Sequence, residues 1–415
     1  MVDSATHTLY AHLKSKRDAC LRLVEELVRI ESYATQTSGV DAVGDFLCGE
    51  LEAVGYETER VRGERLPLEE RWVEELFLPG FDWEQLADHR IARKRGSGTG
   101  RVLILGDMDS ACPPGALERF PFRVEGPRAY GPGIADMKGG LAVTVHALQA
   151  LAETSLENLA EVTVVLSADE QAGSFGARTV IETAAREADW VFCMECARNG
   201  ARLMNSHIQL GVGILDVHGR DAHAGSAFDK GISAIEAMSR KITAIHALTD
   251  RDRGIFLNVG TVAGGWRRNV IAGHCRASLD VRAASAADWD EAAAAVGAIA
   301  AREDLPGSTA DLRLLAYRPA LPRTADTDRL LAIARDAGAA FGLEVAAAHS
   351  PAAGSSAFCG PLGVPCLDGM GPVGIGTMTL DEHIEVPSLV ERAALLAATM
   401  HALGCGAWSR GGPGE

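Results

Sequence analysis

The stretch RVLILGDMDS (101–110) leads through a turn-rich passage into YGPGIADMKGGL (130–141). Its apolar start predicts a buried strand, which ends in Asp107-Met108-Asp109. Side chains two residues apart on a strand point to the same face, and ligands bind at this end of the strands in open α/β sheets. With Asp136 on the following loop, these acids predict a metal site or a general base. Taken singly, each acid is also explained by helix capping and turn chemistry.

The composition describes an ordinary folded protein of more than one domain. A length of 415 residues predicts two or three domains, and 47% apolar residues suffice for sizeable cores. The net charge of −16 argues against a nucleic-acid partner, because phosphate binding requires a basic surface. The first residues do not resemble a signal peptide, and no apolar run is long enough to span a membrane. Together with nine cysteines in no framework spacing, these features predict a cytoplasmic protein.

Helical and strand patterns alternate around the opening stretch. The pattern predicts helices over 6–30 and 39–54, and a surface insertion over 62–98 that serves as a lid or contact element. It then predicts, in order, strand 101–107, helix 138–153, strand 161–168, helix 174–187 and strand 189–195. This order indicates an α/β domain with a mostly parallel sheet and helices on both faces. The strand ends would bring Asp107, Asp169, Glu170 and Glu195 to one edge of the sheet.

The pattern changes near residue 207. The next elements are predicted as strand 208–219, helix 230–249, strands 255–264 and 273–282, helix 286–303 and strand 311–317. The order β-α-β-β-α-β is the ferredoxin-like (α+β) arrangement. We therefore predict an inserted domain over 207–318, and a discontinuous catalytic domain over 1–206 and 319–415 with helices at 325–341 and 387–403.

Five short motifs identify a family resemblance that covers essentially the whole chain. They are GPGIADMKGG (131–140), ADEQAGSFGA (168–177), GRDAHAGSAFDKGISAIEA (219–237), NVGTVAGGWRRNVIAGHCRASLDVR (258–282) and DEHIEVPSL (381–389). In this order and spacing they resemble the M20 family of metallopeptidases and amidohydrolases, in particular its glutamate carboxypeptidase-like branch.

The resemblance implies a centre of two divalent ions, usually zinc. Asp136 would bridge the ions, Glu195 would bind one of them and His383 the other. Glu170 would act as general base, and Asp109 would orient the first metal ligand from behind.

The resemblance also implies roles for the inserted domain. This domain would be a lid that pairs two subunits into a homodimer, and its His223 would reach the partner's site and polarise the scissile carbonyl. Asn269 and Arg282 fall at positions resembling those that bind the substrate or its carboxylate, with Arg318 as a weaker candidate.

Two positions depart from the family pattern. The first metal ligand is Asp107 where the family has histidine, and Gln171 replaces a glutamate ligand directly after the base. The downstream signature also lacks its acid and reads Ala353-Gly354-Ser355-Ser356. Aspartate for histidine adds one negative charge and glutamine for glutamate removes one, so the total charge of the ligands is unchanged. One ion would then be bound by three carboxylates (Asp107, Asp136 and Glu195), and the other by Asp136, the amide of Gln171 and His383.

Carboxylate-rich sites suit manganese relatively better than imidazole-bearing sites do, and an amide is a weak zinc ligand. The expected cofactor is therefore one or two divalent ions, zinc, manganese or cobalt, with a changed preference.

The predicted function is hydrolysis of an amide bond in a small N-acyl amino acid or dipeptide-like substrate by metal-activated water. Two alternatives remain open at the level of sequence. One is a metal-independent relative that catalyses acyl transfer, cyclisation or amide formation in specialised biosynthesis, and the other is a ligand-binding relative without catalysis. Turnover with and without a chelator separates the three.

Overall fold

The structure is a computed structural model that describes residues 2–197 and 202–408. The end of the predicted catalytic domain, 409–415, and the short segment 198–201 lie outside the described residues. Within them, no helix is both long and apolar enough to cross a membrane.

Helices occupy much of the described chain. In chain order they are α1 Val2–Ser15, α2 Arg17–Val28, α3 Thr37–Glu52, α4 Glu74–Phe77, α5 Ala116–Arg119, α6 Gly139–Glu153, α7 Ala177–Glu187, α8 Ala234–His246, α9 Ala286–Ala301, α10 Ala325–Ala339 and α11 Val386–Ala402.

The strands, in the same order, are β1 Glu57–Val61, β2 His89–Arg95, β3 Arg101–Asp107, β4 Arg123–Glu125, β5 Arg128–Tyr130, β6 Glu161–Ser167, β7 Trp190–Cys193, β8 Leu203–His207, β9 Gln209–His218, β10 Ala222–His223, β11 Phe256–Gly264, β12 Val270–Ile271, β13 His274–Ala283, β14 Thr309–Arg318, β15 Ala347–Ser350, β16 Cys366–Leu367, β17 Gly374–Ile375 and β18 His383–Glu385.

The chain divides into two compact units. The first is built from residues 1–206, 321–350 and 354–415, and the second from 207–320 and 351–353. The sequence places the boundaries after 206 and 318, two residues short of the structural division on the second side.

The first unit is organised by a six-stranded sheet in the order β1-β2-β6-β3-β7-β16. Strands β6, β3, β7 and β16 run parallel, and β1 and β2 are antiparallel additions at one edge. This confirms the mostly parallel sheet. It corrects the interpretation of 62–98 as a surface insertion throughout, because β2 is a strand of the sheet and pairs with both β1 and β6. Its charged sequence HRIARKR has little of the apolar pattern that marks a strand inside a sheet.

Alternation along the central strands explains why helices cover both faces. Val102 and Ile104 of β3 belong to one apolar core with α6 and α11. Leu103 and Leu105 belong to another core with α7 on the opposite face. A parallel sheet buried on both sides requires this continuous apolar run.

The structure confirms that the opening segment is helical, but it forms two helices and not one. The prediction of one helix over 6–30 is replaced by α1 and α2, separated at Lys16, whose φ of −98° and ψ of 9° are not helical. Both pieces pack on the same core through Leu9, Leu13, Val24 and Leu27, so the apolar periodicity continued across the break.

The second unit has the predicted β-α-β-β-α-β order. Its four-stranded sheet runs β11-β13-β9-β14 with antiparallel pairing throughout, and α8 and α9 pack on one face around Leu215, Leu279 and Val296. The ferredoxin-like arrangement is confirmed.

Candidate metal centre

Three carboxylates meet where the parallel strands of the first unit end. Asp107 is the last residue of β3, Glu170 follows the end of β6 by three residues, and Glu195 follows the end of β7 by two. All three side chains are buried, and one ligand oxygen from each lies within 4.8 Å of the others. We refer to Asp107, Glu170 and Glu195 as the carboxylate cluster. Its formation follows from parallel strand order, which brings these ends to one edge.

Hydroxyl groups orient the first member of the cluster. Ser167 Oγ donates to Asp107 Oδ1 at 2.6 Å, and Ser355 Oγ donates to the same oxygen at 3.0 Å. Ser355 belongs to the altered signature that lacks its acid. A neutral hydroxyl in this segment therefore contacts the aspartate that replaces a histidine.

Glycine provides space for Glu195. A Cβ atom on Gly354 would lie 2.9 Å from Glu195 Oε1, a separation that real Cβ contacts do not show. A side chain at position 354 would therefore displace this carboxylate from the cluster.

Asp109 fixes the turn that carries the predicted base. Its two carboxylate oxygens accept hydrogen bonds from the backbone N–H groups of Glu170, at 3.0 Å, and Gln171, at 2.9 Å. Burial raises the pKa of Asp109 well above its usual range, and the neighbouring charges of Glu170 and Asp107 raise it further. Its contacts make Asp109 a positioning residue for the turn.

Asp136 forms a hydrogen bond with Gln171, one of the two residues that depart from the family pattern. Gln171 Nε2 donates to Asp136 Oδ1 at 3.1 Å. The amide at position 171 therefore presents a hydrogen-bond donor to Asp136, where a glutamate would present a second negative charge.

Glu382 holds the loop around Asp136 and was not predicted from the sequence. Its carboxylate accepts backbone N–H groups from Gly133 at 3.1 Å, Ala135 at 2.9 Å and Asp136 at 3.1 Å. It is 1% exposed, and burial raises its pKa despite these bonds. The residue lies inside the motif DEHIEVPSL, but nothing in that motif distinguishes it from the acids around it.

His383 has the electronic form of a metal ligand. Its Nδ1 lies 2.7 Å from the carbonyl oxygen of Asp381, which can only accept, so Nδ1 carries the proton and Nε2 carries a lone pair. Nε2 is buried and has no hydrogen-bond partner among the described residues. A buried lone pair without a donor costs free energy, and a bound cation would offset that cost.

These observations fit a divalent ion. Three carboxylates enclosed together repel one another at low dielectric, and carboxylate oxygens and neutral imidazoles, such as that of His383, are both donors that hard or borderline divalent cations accept. Glu170, the predicted base, thus lies beside Asp107 and Glu195, two of the predicted metal ligands.

The remaining predicted residues lie in the second unit. His223 Nδ1 accepts the backbone N–H groups of Gly225 and Ser226, each at 3.1 Å. Arg282 pairs with Asp280 at 2.8 Å and donates to the carbonyl of Pro351. The carbonyl of Asn269 accepts the N–H of Ala224, and Arg318 is 4% exposed.

Lys138 is a second buried charge that sequence analysis did not single out. Its Nζ donates to the carbonyl of Ile30 at 2.6 Å, and burial lowers its pKa to about 8. This contact ties the start of α6 to the end of the opening helical segment.

The fold and the acidic centre together define a two-unit amidohydrolase of the metallopeptidase type. The family described as peptidase family M20/M25/M40 matches residues 103–402, and the chain belongs to this family. The resemblance recognised in the motifs is thereby confirmed, and the protein is an enzyme.

Relatives of known name support this assignment. The chain is 27% identical over 407 residues to carboxypeptidase G2 of Pseudomonas sp. (strain RS-16), covering 96% of this chain and 93% of the relative. It is 25% identical over 412 residues to succinyl-diaminopimelate desuccinylase of Xanthomonas oryzae pv. oryzae (strain MAFF 311018), covering 90% and 96%. A crystal structure of a tripeptidase from Staphylococcus aureus shares the fold with a TM-score of 0.78 at 18% identity, covering 94% of this chain and 99% of that chain.

Proposed function

We propose that this enzyme hydrolyses the amide bond of a small N-acyl amino acid or dipeptide-like substrate at a divalent metal centre. The observation that carries the proposal is the carboxylate cluster together with the buried lone pair of His383. Carboxypeptidases, desuccinylases and tripeptidases differ in substrate, and amide hydrolysis is the reaction they share.

Asp107, Glu195, Asp136 and His383 are the proposed metal ligands. A divalent ion held by Asp107, Asp136 and Glu195 would polarise the scissile carbonyl and acidify a water, and His383 belongs to the second, weaker position. The contact between Gln171 and Asp136 supports one tightly held ion over two, because Asp136 already receives a neutral donor on the side where the family has a further carboxylate.

Glu170 is the proposed general base. Its backbone is fixed by Asp109, and its carboxylate lies within 4.8 Å of the ligand atoms of Asp107 and Glu195. From this position it would accept a proton from the attacking water and deliver it to the leaving amine.

His223 is proposed to stabilise the negative oxygen that develops on the substrate carbonyl. Because its Nδ1 accepts two backbone N–H groups, the neutral ring carries its proton on Nε2. Nε2–H is then a donor suited to an oxyanion. Asn269, Arg282 and Arg318 are proposed to contact the substrate, with an arginine holding its carboxylate in a bidentate pair.

The second unit is also proposed to pair two copies of the chain. Strand β11 is an edge strand of its sheet, bonded on one side to β13, and it carries Val262 at 58% exposure, with Trp266 at 71% just beyond. An exposed edge of this kind is a template for strand pairing. Light scattering should give the mass of a dimer, and Val262→Lys should shift the protein to monomer.

The test of the reaction combines metal analysis with turnover. The purified protein should carry close to one divalent ion per chain, and a metal-stripped sample titrated with zinc, manganese and cobalt should recover it. Turnover of a panel of N-acyl amino acids and dipeptides should disappear with a chelator and return on adding metal. Chelator-resistant turnover would instead support metal-independent acyl chemistry, and the absence of turnover together with the absence of metal binding would overturn the proposal.

A further inference from the structure

Cys405 lies in a constellation that the hydrolytic reaction does not use. It is exposed, and it follows α11 in the turn Leu403–Ala407. Its Sγ lies 3.5 Å from His401 Nε2 and accepts a hydrogen bond from Asn158 Nδ2 at 3.2 Å. A thiol, an imidazole and an amide donor thus meet at one point on the surface.

The imidazole is oriented to accept the thiol proton. His401 Nδ1 lies 2.8 Å from the carbonyl oxygen of Leu156, so the proton of the neutral ring is on Nδ1. Nε2 then faces Cys405 with its lone pair. A nucleophile beside a base, with the base oriented by a third group, is the arrangement that activates cysteine.

Asn158 holds its amide donor against the sulfur of Cys405. Its side-chain amide is anchored by a second hydrogen bond, 2.9 Å long, to the carbonyl of His401. This second bond fixes the amide in the position from which it donates to the sulfur.

A cavity opens beside this group. It has a volume of about 210 Å³, and His401, Asn158, Leu156 and Met400 contribute to its lining. The charged groups along it are Lys94, Arg95 and Glu157, of which Lys94 and Glu157 form an ion pair at 2.5 Å. The cavity thus borders His401 and Asn158, the two side chains that contact the sulfur of Cys405.

The other cysteines lack these features. All nine cysteines fall within the described residues, and seven of the remaining eight are buried. The partly exposed Cys112 lies near Glu382, and burial, aided by that carboxylate, raises the pKa of its thiol to about 11. Cys112 therefore serves as an internal control.

We propose that Cys405 is a site of covalent modification by low-molecular-weight disulfides, with His401 as its base. The thiol proton moves to His401 Nε2, and the thiolate attacks one sulfur of the disulfide. A new S–S bond forms as the old one breaks, and the departing thiolate takes the proton from His401. The exchange is balanced without any further oxidant.

The site lies at the opposite end of the sheet from the carboxylate cluster. Asn158 precedes the first residue of β6 by three positions, and Glu170 follows its last residue by three. A seven-residue strand spans about 20 Å. Modification at Cys405 is thus separate from the reacting atoms of the amidohydrolase.

The first experiment incubates the native full-length protein with oxidised glutathione and maps the product by mass spectrometry. One mixed disulfide at Cys405 is expected, and Cys405→Ser should abolish it while leaving hydrolysis unchanged. An adduct on Cys112 in place of Cys405, or no adduct, would overturn the proposal.

The second experiment measures the rate of alkylation by iodoacetamide against pH. His401→Gln retains a donor for Leu156 and removes the base, so its rate should fall about tenfold near pH 7 and approach the wild-type rate near pH 10, where hydroxide ionises the thiol. Asn158→Asp, which replaces the donor with a negative charge, should also slow the reaction and provides the comparison if His401→Gln does not fold. Equal rates for the folded variants and the wild type at every pH would show that neither neighbour activates the thiol.

Discussion

The two sides of the proposed metal centre differ in how their charge is balanced. On one side, the carboxylate cluster gathers three acids within 4.8 Å, and neutral hydroxyls contact Asp107. On the other side, which we call the histidine side (Asp136, Gln171 and His383), an amide contacts Asp136 and an imidazole presents a lone pair. The cluster concentrates the negative charge, so it should hold a cation more tightly than the histidine side does. In the proposed centre, Asp107 and Gln171 therefore place more of the negative charge on the side of the cluster without changing the sum.

The largest effect should come from removing the base within the cluster. Glu170→Gln should lower kcat about 10²- to 10⁴-fold, because it removes proton transfer, while KM changes little. Steady-state kinetics and metal analysis of the same sample provide the measurement. If the variant instead loses its metal, Glu170 is a ligand and the base lies elsewhere.

The next test restores the family's charge on the histidine side. Gln171→Glu should raise the bound metal from one ion to two per chain, because it places a second carboxylate beside Asp136. Titration calorimetry and elemental analysis measure the stoichiometry, with Gln149→Glu, a glutamine that contacts Glu50 at 3.0 Å far along α6, as the control. A stoichiometry that stays at one would show that the contact between Gln171 and Asp136 does not decide the ion count.

Glu382 tests how the histidine side is held together. Glu382→Gln should lower the free energy of unfolding by about 1–3 kcal/mol, since it weakens hydrogen bonding to three buried backbone N–H groups. Urea denaturation gives the value. Glu385→Gln is the matched control, because Glu385 pairs with Arg128 at the surface and its loss should have a much smaller effect.

The smallest effect is expected at the hydroxyl that supports the cluster. Ser355→Ala removes one donor to Asp107 and should weaken metal affinity about tenfold. Ser356→Ala is the control, because Ser356 bonds to Asp368 instead. An equal loss of affinity in both variants would indicate disruption of the shared segment and not of the contact with Asp107.

The sequence predicted most of the fold because its elements carry strong local signals. The strand Arg101–Asp107 and the helix beginning at Gly139 were located almost to the residue. Strand β2 was missed because its charged residues leave little apolar pattern to detect. The break at Lys16 was missed because the apolar spacing persists through it.

The site was predicted less completely than the fold. Asp107, Glu170 and Glu195 were expected at one sheet edge because parallel strands end there, and they meet there. Glu382 was missed because its role depends on backbone groups 246 to 249 residues away along the chain, a relation that no spacing in the sequence expresses.

The sequence alone determined the family, the order of the elements and the two exchanged ligand positions, because motifs and periodicity are local properties of the chain. Only the tertiary structure decided how closely Asp107, Glu170 and Glu195 approach one another, that Gln171 donates to Asp136, and that His383 keeps a buried lone pair. It also brought Asn158 to Cys405, across 247 residues of chain. The direction of a hydrogen bond and the burial of a side chain depend on which segments contact one another in the folded chain, and tertiary packing determines those contacts.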